Sequence, residues 1–149
     1  MDEHHNQLVV SEHQLDRAIQ LFLDEEDYYS SGTLAGAAEE ILGHLLLKAG
    51  REHALDNAIS SVLKMLSATE VDALSDKPTR SARGRISDVL NFYRNWLKHY
   101  REDDFELYID AKESASELID RAASNFFQLT SRETPQMRRF LEYQREQDK

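Results

Sequence analysis

Ile86-Ser87-Asp88-Val89-Leu90-Asn91-Phe92-Tyr93-Arg94-Asn95-Trp96-Leu97-Lys98-His99-Tyr100 sorts into two sides when it is wound as a helix. At about 100° per residue, Ile86, Val89, Leu90, Tyr93, Leu97 and Tyr100 share an apolar arc. Asn91, Arg94, Asn95, Lys98 and His99 fall on the opposite arc, and Phe92 and Trp96 flank it next to His99. A helix patterned this way has to cover its apolar arc with other helices. The spacing predicts a helix over 81–100, weakened in its first turns by Gly84.

The rest of the chain supplies those partners. Strand-like alternation is absent, and only two prolines and five glycines interrupt the helical pattern. Residues 1–10 read as a loose lead-in. Ser11 and Gln14 suit a capping box for a helix to about Glu26, with Leu15, Ile19, Phe22 and Leu23 on one face. A second helix is expected from Tyr28 to Ala49, closed by Gly50. Its small residues Gly32, Ala35, Gly36, Ala37 and Ala38 permit close helix contact. A third spans His53 to Leu66, with Leu55, Ile59, Val62, Leu63 and Leu66 inward. Residues 67–80 read as a polar connecting loop around Pro78, in which Val71 to Leu74 suit a short turn. Glu102-Asp103-Asp104 is expected to cap a long helix over Phe105 to Leu129, with a stripe of Tyr108, Ala111, Ala115, Leu118, Ala122, Phe126 and Leu129. Thr134-Pro135 opens a short last helix. The expectation is an all-α, antiparallel four-to-five-helix bundle with a short C-terminal helix, residues 1–149 forming a single domain.

The 149 residues suffice to bury about 68–70% of the unfolded surface, so no staple is needed. The absence of cysteine excludes disulfides, thiol catalysis and cysteine-bound zinc. No apolar run reaches membrane-spanning length, and the acidic N-terminus lacks a signal-peptide pattern. A soluble, cytoplasmic protein with no membrane contact is expected. The net charge of −10 opposes broad nucleic-acid binding, but it is unevenly spread. Lys77, Arg80, Arg83, Arg85, Arg94, Lys98 and Arg101 lie in one segment whose only acid is Asp88. Such a segment reads either as a local anion site or as the partner of the chain's acidic regions.

Within it stands Arg94-Asn95-Trp96-Leu97-Lys98-His99. An arginine can hold a phosphate, and a histidine can move a proton near neutrality. Asn95 and His99, at i and i+4, lie together, as do Arg94 and Lys98. Arg94 and His99 are about 140° apart, too far around one helix to grip one small group. A second copy of the face would bring an arginine of one chain near a histidine of the other. Phe92 and Trp96 would give such a dimer interface something apolar to bury.

This string resembles the Arg-(polar)-x-x-x-His signature of the HEPN superfamily (higher eukaryotes and prokaryotes nucleotide-binding). Leu34-Ala35-Gly36-Ala37-Ala38-Glu39-Glu40-Ile41-Leu42 also looks like the second helix of small bacterial HEPN-like proteins. The resemblance implies a helical bundle, a homodimer with both motifs facing one cleft, and metal-independent endoribonuclease activity with no cofactor. RNA would be cut by attack of its own 2′-hydroxyl. Family members include toxins of toxin–antitoxin pairs and antiviral-defence ribonucleases, so an antitoxin or regulatory protein is a further implied partner. Others serve as binding domains. Carried over by position, His99 would be the general acid–base, Arg94 the phosphate clamp and Asn95 an orienting group. Lys98, Asn91 and Arg101 would add substrate contacts. In the implied arrangement Glu39 and Glu40 face the motif helix and pair with Arg94 or Lys98; the alternative is a pair of acids on a helix surface. The rival function is a non-catalytic helical module that binds a nucleotide or a partner protein.

Other constellations are weaker. Glu3, His4 and His5 read as a solvated terminus. Glu40 and His44 lack the repeated Glu-x-x-His of a di-metal bundle, so no metal site is expected. No hydrolase triad or glycine-rich phosphate loop is present.

Overall fold

A computed structural model describes residues 1–74 and 81–149. Among these the protein is an all-α bundle: α1 (Gln7–Asp24), α2 (Tyr28–Lys48), α3 (Ala54–Met65), α4 (Ala68–Asp72), α5 (Ala82–Leu90), α6 (Phe92–Lys98), α7 (Ala111–Thr130) and α8 (Pro135–Gln147). The last part of the connection expected over 67–80, residues 75–80 with Lys77, Pro78 and Arg80, lies outside the described residues.

α2 is the spine, packed between α1 and α7. Its interior-facing residues are largely small, including Gly32, Ala35, Gly36 and Ala38, so its neighbours approach closely. Larger side chains from those neighbours fill the space. Leu15, Ile19 and Phe22 of α1 meet Ile119 and Phe126 of α7 and Phe140 of α8 in the main core. Each such side chain contributes about 1.5–3 kcal/mol on burial. A second cluster joins Ile59 of α3, Val71 of α4 and Ile86 of α5, with Leu55, Val62, Leu63, Leu66 and Leu90 around it. The inward stripe expected for α3 is this second cluster.

Several boundaries differ from expectation for physical reasons. α1 starts a turn early: Asn6, not Ser11, is its cap, with the Asn6 side chain accepting from Leu8 N–H. Leu8 packs on the core and draws that turn in. Ser11 is buried, and its hydroxyl donates to the carbonyl of Gln7. The expected connection over 67–80 begins as α4, held by a capping box between Ser67 and Glu70. Gly50 does close the second helix, at φ +73°, the left-handed conformation that a side chain resists. Thr134 and Pro135 open α8 as expected.

The helix expected over 81–100 breaks at Asn91 into α5 and α6. Val89 and Tyr100, placed on the buried arc by the unbroken pattern, are exposed. Residues 101–110 are a non-helical strap rather than the first turns of α7. Glu102, Asp103 and Asp104 therefore cap nothing; Asp110 does so, its carboxylate accepting from Glu113 N–H at 2.9 Å. The strap is anchored by Trp96, whose Nε1 donates to the carbonyl of Asp104 at 2.7 Å, and by Leu107 on the core. Tyr108, expected in the α7 stripe, stands in solvent.

Candidate functional site

α6 lies across α2 because α2 is bare where they cross. A Cβ on Gly32 would stand 2.8 Å from Cε1 of Tyr93, and one on Gly36 would stand 2.6 Å from Cγ of Arg94. With no side chain at 36, the aliphatic stem of Arg94 runs over α2 and delivers its guanidinium to Glu39. Nη1 of Arg94 donates to Oε2 of Glu39 at 2.6 Å. The two side chains are 12% and 3% exposed. Arg94 is thus a largely covered, paired arginine, not the solvent-displayed cation that the polar arc suggested. An amphipathic wheel cannot tell a solvent face from a face laid against an acidic helix.

Glu39 serves a second arginine. Nε of Arg121, on α7, lies 3.5 Å from Oε1 of Glu39. The other arginine nitrogens donate to the carbonyl of Leu90 and to Oδ1 of Asn91 at 2.9 Å. Burial pulls the Arg121 guanidinium below its usual range, and the Glu39 carboxylate pulls it back up. Asn125, one turn further along α7, donates to the backbone carbonyl of Glu39 and accepts from Ala54 N–H. A polar network therefore crosses the bundle from α6 through α2 to α7 and the start of α3. Asn91 sits at the break because its side chain caps Arg121; it is buried and does not offer itself to a substrate.

The remaining motif residues face different surroundings. Lys98 reaches Glu40 at 2.6 Å, with both side chains partly exposed. The Lys98 hydrogen bond holds the Glu40 carboxyl below the usual range, against the opposing effect of partial burial. Both pairings between the second helix and the motif are therefore present, one buried and one at the surface. Asn95 lines a cleft on the α7 side. His99 ends α6 in extended backbone, φ −125° and ψ 131°, with its N–H bonded to the carbonyl of Asn95. Its imidazole is exposed and has no hydrogen-bond partner among the described residues. Arg101 stacks over the Phe92 ring at 5.1 Å and reaches Asp104 at 3.6 Å. Phe92 and Trp96, expected as an exposed dimer patch, are half-buried under the strap.

Sequence reasoning passed over Arg121, Asn125 and Gly36 as parts of this site. Their signals were present. Glu117, Arg121 and Asn125 recur at i, i+4 and i+8 beside the apolar stripe of α7, and Gly36 lies one turn before Glu39. Chemically, the arrangement holds one arginine in a fixed position and leaves one imidazole free at the end of the same helix. No group of three or more histidine or carboxylate side chains suited to a metal ion comes together among the described residues.

No protein-family model, curated protein or solved structure matches the chain significantly.

Proposed function

We propose that the protein is a HEPN-type, metal-independent endoribonuclease working as a homodimer, with its antitoxin-regulated or defence setting as the biological frame. The observation that carries this reading is His99. It stands in solvent, without a partner among the described residues, at the end of the helix that also bears a fixed arginine. A histidine that can gain and lose a proton without breaking a structural contact suits general acid–base work. Glu39 orients Arg94 through a single nitrogen, Nη1. In a dimer, the arginine of one chain and the histidine of the other would flank one phosphate. The 2′-hydroxyl of the RNA attacks that phosphate, His99 takes its proton and returns it to the departing 5′-oxygen, and the products are a 2′,3′-cyclic phosphate and a 5′-hydroxyl. Asn95 orients the phosphate or the imidazole.

A second reading has its own support. Glu39 and Glu40 neutralise Arg94 and Lys98 within the chain, as in a helical module whose basic face is a structural joint and whose task is to bind a nucleotide or a partner protein. Purified protein incubated with mixed RNA in chelator separates the two. The nuclease reading expects cleavage that falls about 10²–10⁴-fold in His99→Ala. The binding reading expects none from either protein.

A further inference from the structure

The strap over residues 101–110 and the α5–α6 break enclose, with α7, a cleft of about 740 Å³. Leu90, Phe92, Leu107 and Leu118 give it an apolar part, beside the polar side chains of Asn95, Ser114 and Arg121. Its lip is also apolar yet turned to solvent: Tyr108 is 93% exposed, Val89 46% and Ile109 40%. Phe105 stands out from the same strap at 68%. Exposed apolar side chains gathered at the mouth of a partly apolar cleft mark an interaction surface rather than scattered surface residues.

We propose that this cleft and its lip dock a segment of a partner protein that is apolar on one side and cationic on the other. Charge selects the occupant. Glu102, Asp103 and Glu106 stand exposed along the strap, and Glu117 lines the facing wall. The two arginines at the cleft are already engaged, Arg101 with Asp104 and Arg121 with Glu39. A lysine- or arginine-bearing segment meets the strap's exposed carboxylates Glu102, Asp103 and Glu106, which form no ion pair among the described residues, while its apolar face enters the cleft. An RNA strand would bring phosphates against the same carboxylates. A second copy docking face to face would set each acidic strap against its twin, because a two-fold contact repeats the same patch on both sides. The cleft shares Asn95 with the motif but not Arg94 or His99, and its docking role does not depend on whether the chain cleaves RNA.

The test uses a fluorescein-labelled amphipathic helical peptide of leucine and lysine, followed by anisotropy with the full chain. Saturable binding is expected, weakened about tenfold in Tyr108→Ser/Ile109→Ser and again by raised salt, since surface charge pairs are screened. Both positions are exposed, so the variant folds. Phe127→Ser removes a half-exposed ring on the outer face of α7 and is expected to leave binding unchanged. The proposal is overturned if no saturable binding occurs, or if a leucine–glutamate peptide binds equally well. It is also overturned if the double variant keeps the lysine peptide while losing an RNA oligomer or its own dimer in sedimentation.

Discussion

The space that Gly36 leaves open is filled by Arg94, whose Cγ lies only 2.6 Å from where a Cβ on that glycine would be. This contact sets how close α6 can come to α2, and so whether the guanidinium reaches Glu39 three residues on. A backbone position thereby controls a charge pair.

Gly36→Ala consequently reverses the usual sign. Alanine in a helix interior normally stabilises by about 1 kcal/mol over glycine. Here the added methyl must push the arginine stem or lift α6, an overpacking cost of about 1–3 kcal/mol. A lower denaturant midpoint is expected. A raised midpoint would mean that α6 yields without loss.

Glu39→Gln keeps the shape of the side chain and removes the buried charge between Arg94 and the buried Arg121. Breaking a buried ion pair by neutralising one partner costs about 3–5 kcal/mol. Urea unfolding measures it. A loss below about 1 kcal/mol would show that Arg94 and Arg121 find other solvation, contrary to the burial described.

Much of the bundle is written in local signals. Gly50, Thr134 and Pro135 each mark a helix end by its own chemistry, and the α3 stripe finds its core without help. Less local features are not readable this way. The break at Asn91 depends on Arg121, thirty residues away, and no periodicity within 86–100 announces it. The strap over 101–110 depends on Trp96 reaching back to the Asp104 carbonyl. The motif itself was visible as a string, while its exposure was not, because Glu39 lies 55 residues before Arg94.

Tyr93 makes the fold sensitive to alkali. Burial pushes its hydroxyl from the usual 10.0 up to about 12, and that hydroxyl donates to the carbonyl of Tyr28. The folded value is the higher one, so the contribution is complete below pH 10 and drains away as pH rises toward 12. At most about 2–3 kcal/mol is involved. Stability measured across that window should fall, and Tyr93→Phe should flatten the fall. An unchanged slope in the variant would assign the loss to other groups.

Ser131 ends α7 in the left-handed region at φ 54°, a conformation that costs a side chain about 1–2 kcal/mol. Ser131→Gly relieves that strain, partly offset by the added entropy of the unfolded chain, so a net gain of roughly 0.5–1 kcal/mol is expected. A rise in thermal midpoint checks it, and a drop would show that the serine side chain holds the cap.

End-group analysis of RNA incubated with the protein in chelator tests the ribonuclease reading most directly. Wild type should leave 2′,3′-cyclic phosphate and 5′-hydroxyl ends, and His99→Ala should leave almost none. RNA left intact by wild type, or identical ends produced at the same rate by the variant, would contradict it.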